Sequence, residues 1–228
     1  MLENLPNYIS PTFVLTTVLT VTFLLAAAWQ TARTIRFALA AAGILAFLLA
    51  AHALLAISGF YLDTKSFPPH FPLAPLSTLV ALCLLFLPHV KKLPLRTLTL
   101  LSVVRIPVEL VLLWLYQAGQ VPQLMTFEGR NFDILSGLTA PLVAWLAFRG
   151  GKINKPLLII WNLAALGLLI NIVTNAILSL PTPFQRFAFD QPNLAVLYFP
   201  FIWLPSIIVP AVFFAHFASL WRLFAVRE

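Results

Sequence analysis

The chain has 228 residues, of which 61% are hydrophobic and 9% are charged, and its net charge is +7. Soluble domains carry roughly 25% charged residues, because polar groups must cover a solvated surface. The composition therefore excludes a disordered chain, a nucleic-acid-binding tail and an ordinary soluble enzyme. It indicates that the solvent is lipid.

Seven apolar stretches follow one another along the chain, each bounded by charges, prolines or a polar cluster. A transmembrane helix needs about 20 predominantly apolar residues. The stretches predict an all-α, polytopic seven-transmembrane-helix bundle, with a single transmembrane domain over residues 1–228. The predicted spans cover about 11–29, 37–60, 73–90, 98–117, 134–148, 156–180 and 194–221.

Basic residues are concentrated in every second segment between these spans. Cytoplasmic loops are enriched in Lys and Arg, so the alternation predicts an N-terminus outside and a C-terminus in the cytoplasm, in the plasma membrane. The basic excess then reports orientation, and the expected partners are membrane lipids, with no nucleic acid. The cytoplasmic set is Arg33, Arg36, Lys91, Lys92, Arg96, Arg149, Lys152, Lys155, Arg222 and Arg227, and the outer set is Lys65, Arg130 and Arg186.

The first apolar stretch follows Glu3 and carries its positive charges behind it. A secretory signal has a basic leader instead, so we expect the first helix to remain in the mature protein.

Four alanines in the second span recur every four residues and therefore share one face of the helix. Small residues allow another backbone to approach closely, so the ridge predicts a helix-helix contact, including a homo-oligomer interface. The alternative is that alanine is simply abundant in this chain. The ridge is Ala38, Ala42, Ala46 and Ala50.

Arg105 and Glu109 lie in the fourth span, four residues apart and thus on the same face, in a polar stripe with Ser102 and Tyr116. Each charge costs roughly 2.5–3.5 kcal/mol at the bilayer centre, so both must face the bundle interior, pair or line water. In one interpretation they pair with each other or with a neighbour and only fix the packing. In the other they recognise a polar solute or relay a proton.

Other polar residues in the outer halves of the spans could line one outward-facing cavity with this stripe. Interhelical hydrogen bonding is the alternative role for the asparagines. The predicted ligand-binding or proton-coupling set is Arg105, Glu109, Tyr116, His52, Asn171, Asn175 and Trp203.

Two outer segments mix charges with aromatic residues, and we expect them to fold back as a lid in which Arg130 or Arg186 pairs with Asp133 or Asp190. The alternative is that they lie in the headgroup layer. The predicted lid residues are Glu128, Arg130, Asp133, Arg186 and Asp190. Pro200, Pro205 and Pro210 should bend the last span, because each removes a backbone hydrogen bond.

Metal and catalytic motifs are missing from the sequence. No HxxxH or CxxC spacing accompanies the four histidines, and His216 is placed near the cytoplasmic end of the last span. We therefore predict no metal, no cofactor and no catalytic residue. The leading hypothesis is binding or translocation of a small polar or amphipathic molecule; the alternatives are a sensor that works with a partner protein, and an intramembrane hydrolase or transferase acting on a lipid-like substrate.

Overall fold

A computed structural model describes residues 5–225, so Glu3 and Arg227 lie outside the described residues. Helices account for all the regular secondary structure between those bounds, which confirms the all-α prediction. We number them α1 (Ile9–Ala32), α2 (Ile35–Ile57), α3 (Leu73–Lys92), α4 (Leu95–Gln117), α5 (Ile134–Phe148), α6 (Lys155–Leu178) and α7 (Leu204–Ala225). A 3₁₀ turn, Ser102–Val104, interrupts α4, and a π-helical turn, Leu204–Ile208, begins α7.

Six of these helices are long and apolar enough to cross a bilayer, which indicates a multi-pass membrane protein. The exception is α5, whose 15 residues extend only about 22 Å at 1.5 Å per residue. The hydrocarbon core of a bilayer is about 30 Å thick. Apolar residues stand where the fifth span was predicted, but the helix they form is short.

The last helix begins at Leu204, so the prediction that its span starts at 194 was wrong. The preceding apolar residues form a 3₁₀ turn, Ala195–Leu197, followed by further turns. Pro200 and Pro205 have no backbone N–H to donate, which opposes a continuous helix through this segment. The helix also continues to Ala225, beyond the predicted end at 221.

The helices contact one another in a closed ring, in the order α1, α2, α3, α7, α6, α5, α4 and back to α1. In addition, α4 packs against α7 across the ring. These two helices are the most buried, at 61% and 67% of the residues in their apolar windows, against 22–39% for the other long helices. The core of the bundle therefore lies along α4 and α7.

One end of the bundle, here called the basic end, joins α1 to α2, α3 to α4 and α5 to α6. The Thr97 hydroxyl donates to Gln30 Oε1 at 2.9 Å, and Arg222 donates to the Leu93 carbonyl, so α1, α4 and α7 meet at this end. A cluster of buried apolar side chains joins α4, α5, α6 and α7, comprising Leu95, Ala140, Val143, Ala147, Leu158, Trp161, Ala165 and Leu223. The helix connections at this end and the helix turns beside them carry eight residues of the larger basic set: Arg33, Arg36, Lys91, Lys92, Arg96, Arg149, Lys152 and Lys155.

The opposite end, here called the capped end, is covered by residues 118–133 and 179–203. The Leu194 and Ala195 amides both donate to the Gln120 carbonyl at 3.1 Å, which ties the two segments together. The Gln191 side chain donates to the Tyr116 and Val121 carbonyls, which ties them to the end of α4. The cap is thus a hydrogen-bonded layer and not a pair of loose loops.

A close approach between α4 and α5 depends on Gly137. A Cβ added there would lie 2.9 Å from Ile106 Cγ1 and 3.2 Å from the Ser102 carbonyl oxygen. No side chain fits in that space without a shift, so this glycine sets the distance between α4 and the start of α5. The alanine ridge of α2 packs less closely: Ala38 and Ala42 are half-buried, whereas Ala46 and Ala50 are exposed.

Candidate functional site

Arg105 lies near the middle of α4 and is 2% exposed. Its Nη1 donates to Asp133 Oδ1 at 2.6 Å and to the Ala165 carbonyl at 3.3 Å. Asp133 directly precedes α5, whose short length places it about 22 Å from the basic end. The start of a truncated helix therefore brings a carboxylate to a buried arginine, which is the arrangement a buried charge requires.

His216 and Asn162 extend this pair into a chain of hydrogen bonds. Arg105 Nη2 lies 2.9 Å from His216 Nε2, and His216 Nδ1 lies 2.8 Å from Asn162 Oδ1. The Asn162 amide nitrogen donates to the Leu158 carbonyl at 2.8 Å, so its oxygen faces the imidazole as an acceptor. His216 therefore donates from Nδ1 and accepts at Nε2 as a neutral ring, since a guanidinium has only donors.

The placement of His216 near the cytoplasmic end of its span was wrong. Because α7 continues to Ala225, His216 lies about 14 Å from that end, at the same depth as Arg105 and Ala165. Asn162 on α6 belongs to the Arg105 chain as well, and it does not line the cavity.

Glu109 does not pair with Arg105, although the two stand on one face of α4. Its Oε1 accepts a hydrogen bond from the Asn131 side chain, which also donates to the Met125 carbonyl at 3.0 Å. Glu109 is 1% exposed, and its Oε2 has no hydrogen-bond partner among the described residues. One carboxylate oxygen is thus held by the cap, and the other is left unsatisfied.

A cavity of about 100 Å³ lies between α4, α6, the cap and the π-helical turn of α7. Four of its lining residues are polar: Glu109, Asn131, Asp133 and Asn193. The apolar residues around it are Phe71, Pro75, Val108, Leu112, Met125, Leu169, Ile172, Val173, Ala176, Ile177, Val196, Leu204, Pro205 and Val209. The cavity is therefore apolar, with its polar groups concentrated where Glu109 meets the cap.

A groove of about 190 Å³ adjoins this cavity, and the two share Pro75, Leu169, Val173 and Val209 as walls. Leu76 on α3 and Ile170 on α6 also line the groove and are 55% and 51% exposed. Exposed aliphatic side chains along membrane-spanning helices face hydrocarbon. The groove therefore connects the cavity to the lipid-facing surface between α3 and α6.

Glu109 and Asp133 are the predicted site residues that line the cavity, and Arg105 contacts it through Asp133. Asn171 on α6 binds the cap instead, donating to the Arg130 carbonyl at 2.9 Å, and Asn175 donates to Asn171 at 3.4 Å. The first bond joins α6 to the segment 118–133 and the second lies within α6, so neither is the interhelical bond considered as the alternative.

Three other predicted site residues lie apart from the cavity. Trp203 donates its indole N–H to the Leu49 carbonyl at 3.0 Å, which is a backbone group of α2. The Tyr116 carbonyl accepts from Gln191, as part of the cap. His52 contacts Tyr61 and Ser77 and does not line the cavity.

The His52 cluster lies where α2 meets the first loop. His52 Nδ1 is 2.7 Å from the Tyr61 hydroxyl, and Nε2 is 2.9 Å from Ser77 Oγ. Tyr61 lies between the spans and is 1% exposed, and burial raises the pKa of its phenol to about 12. The phenol therefore stays protonated and available for the histidine.

The predicted lid residues divide into one buried residue and four exposed ones. Asp133 forms its ion pair with Arg105, not with Arg130 or Arg186 as expected. The physical reason is burial: Arg105 is enclosed and needs a counter-ion, whereas both loop arginines are exposed. The exposed set is Glu128, Arg130, Arg186 and Asp190.

Sequence reasoning missed four residues. Asn131 and Asn193 line the cavity, and Asn162 and His216 belong to the Arg105 chain. One signal was present: Asn131 and Asp133 directly precede a span too short to cross a bilayer, which favours a segment that dips into the bundle. Within residues 5–225 no group of three His, Cys, Asp or Glu side chains could hold a metal ion.

Comparison with known proteins gives a family and no named relative. No curated protein and no solved structure matches the chain. Residues 67–224 match the family described as Domain of unknown function (DUF8737), a stretch that includes α3 to α7, the cap, the Arg105 chain and the cavity. The protein therefore belongs to the DUF8737 family.

Proposed function

We propose that the protein binds, or carries across the membrane, a small amphipathic molecule that occupies the cavity beside Glu109. The observation that carries this proposal is an apolar cavity at membrane depth with an unsatisfied carboxylate oxygen at one end. Ligand sites are commonly apolar pockets in which a few polar groups fix the orientation of the ligand. Ionisable residues within a membrane are themselves expected to be functional.

The route into the cavity supports an amphipathic molecule over a fully polar one. The groove between α3 and α6 leads to the lipid-facing surface, and its walls are almost wholly apolar. A molecule that partitions into the bilayer could reach the cavity without crossing the cap. The outward-facing access expected from the sequence is replaced in this proposal by lateral access.

The proposed topology is a seven-span bundle in the plasma membrane, with the capped end outside. The basic residues at the opposite end support this orientation, because cytoplasmic connections are enriched in Lys and Arg. In this arrangement α5 spans with help from residues 118–133, which fill the remaining depth. Irregular backbone is tolerated at membrane depth where it is buried in protein, as Met125 and Asn131 are.

Topology is tested by labelling with a membrane-impermeant maleimide. Cys83 is the one cysteine, so Cys83→Ala provides the background. Glu128→Cys at the capped end should be labelled in intact cells, and Lys152→Cys at the basic end only after the cells are opened. Labelling of Lys152→Cys but not of Glu128→Cys in intact cells would indicate the opposite orientation.

Ligand binding is tested by purifying the protein from its membrane and identifying co-purified small molecules by native mass spectrometry. Val173→Trp should abolish the bound species, because Val173 lines both the cavity and the groove. The matched control is Leu163→Trp on the same helix, where the side chain is 53% exposed and lines neither space. Equal amounts of bound molecule in all three proteins would contradict the proposed site.

A further inference from the structure

The polar groups of the cavity leave two oxygens without hydrogen-bond partners, and both are acceptors when Glu109 is ionised. They are Glu109 Oε2 and Asn193 Oδ1, on side chains that are 1% and 0% exposed. An unsatisfied buried acceptor costs about 1–3 kcal/mol. Two such groups lining one cavity indicate a ligand that donates hydrogen bonds.

Most of the neighbouring donors are already used within the protein. The two N–H groups of the Asn131 amide go to Glu109 Oε1 and to the Met125 carbonyl. The Asn193 amide nitrogen donates one of its two N–H groups to the Ala176 carbonyl at 3.3 Å. With Glu109 ionised, an anionic head group would find at most one further N–H on these side chains, so the hydrogen-bonding pattern disfavours a carboxylate or phosphate.

The charges around the cavity also favour a cationic ligand. Asp133 is matched by Arg105 at 2.6 Å, and that guanidinium is further engaged by His216 and the Ala165 carbonyl. Glu109 has an amide for its partner and no cation. An isolated carboxylate in an apolar cavity must be neutralised, either by a proton or by a cationic ligand.

We infer that the cavity takes an amphipathic amine, whose ammonium group donates to Glu109 and Asn193 and whose hydrocarbon body lies along the groove towards the lipid. This inference rests on the proposed function and adds the chemical class of the ligand. Both oxygens are buried, so the head group reaches them when wall side chains shift. Met125 is one of the walls, and methionine adapts readily because its side chain is unbranched.

Amine binding then exchanges with a proton. Glu109 holds a proton on its carboxyl when no cation is beside it. The arriving ammonium keeps its own protons, the Glu109 proton leaves to solvent, and the carboxylate pairs with the ammonium. No redox change and no covalent bond to carbon are involved, and the charge of the site is the same before and after.

The test uses the full-length protein in lipid nanodiscs and four probes with the same chain: octylamine, octanol, octyltrimethylammonium and octanoate. They separate charge from hydrogen-bond donation, since octyltrimethylammonium carries charge without an N–H and octanol carries a donor without charge. Isothermal titration calorimetry should give saturable binding that is at least tenfold tighter for octylamine than for the other three. Repeating it in buffers of different ionisation enthalpy should show about one proton released per amine.

Two substitutions test whether the amine binds at Glu109. Glu109→Gln should weaken octylamine binding at least tenfold and remove the proton release, whereas Glu128→Gln should leave both unchanged. Glu128 is the matched control because it is an exposed glutamate in the cap. If Glu109→Gln fails to fold, the binding of the four probes to the wild-type protein still tests the inference.

Two patterns overturn the inference in different ways. Equal affinity for all four probes, sensitive to Val173→Trp, would refute the amine while leaving an amphiphile site in place. The proposed function would be refuted as well if no probe showed saturable binding and Val173→Trp did not change the co-purified molecules.

Discussion

Two buried carboxylates of this bundle share one neighbourhood and differ in how fully they are satisfied. Asp133 pairs with Arg105, and its backbone N–H donates to Asn131 Oδ1 at 3.0 Å. Glu109 has one oxygen bound by Asn131 and one without a partner. The contrast teaches that a charge at membrane depth can be part of the packing or part of a site, and that the partner of each oxygen distinguishes the two.

The largest expected effect comes from breaking the Arg105 pair. Asp133→Asn leaves the guanidinium buried without a counter-ion, so we expect it to lower the free energy of unfolding by about 3–5 kcal/mol. Thermal or denaturant unfolding of the purified protein in detergent measures this loss. Asp190→Asn removes an exposed carboxylate from the cap and should change stability by less than about 1 kcal/mol.

The two partners of that pair should respond differently to pH. In Arg105→Met the remaining Asp133 carboxyl can take up a proton, so acidification should restore part of the lost stability. In Asp133→Asn it should not, because an arginine stays charged over the accessible pH range. Parallel pH dependence of unfolding in the two variants would contradict the assignment of Asp133 as the counter-ion.

A smaller loss is expected from the helix contact that brings the pair together. A Cβ at position 137 meets Ile106 and the Ser102 carbonyl, so Gly137→Ala should destabilise the protein by about 1–3 kcal/mol. Gly167 on α6 is the matched control, since a Cβ there meets nothing within 4 Å. Gly167→Ala should be neutral or stabilising, because alanine is the better helix former. Equal losses of stability in the two variants would contradict a special role of Gly137 in the contact between α4 and α5.

The helical fold was largely predictable because apolar length alone defines a membrane helix. Six predicted spans match helices long enough to cross a bilayer. The start of α7 was not predictable from hydropathy, since residues 194–203 are as apolar as the helix that follows them. Pro200 within them and Pro205 just after them carried the missing information.

The partners of Arg105 were beyond sequence reasoning, because they are distant along the chain. Asp133 is 28 residues away and His216 is 111. The depth of His216 also depended on a helix end that hydropathy does not define, because α7 continues to Ala225. Arg105 and Glu109 could be identified as the two deep charges, but the spacing of four residues suggested a pair that the structure does not contain.

The His52 cluster contains a buried phenol, Tyr61. The pKa of Tyr61 is raised to about 12 from its usual 10, so the unfolded chain loses this proton first as the pH rises. The stability that the group contributes is complete below pH 10 and should fall between pH 10 and 12. Tyrosinate absorbance and unfolding measured across that window test this, with Tyr61→Phe as the variant in which the high-pH component should be missing.

The smallest expected effect on stability belongs to Glu109, and it decides the comparison. Glutamine keeps an oxygen for the Asn131 amide and, like the protonated carboxyl of the empty cavity, carries no charge. We therefore expect Glu109→Gln to unfold within about 1 kcal/mol of wild type, far from the loss in Asp133→Asn. Denaturant unfolding of the two variants under identical conditions measures the difference. If Glu109→Gln instead costs as much as Asp133→Asn, Glu109 is a structural group like Asp133, and the argument for a ligand at its unpaired oxygen fails.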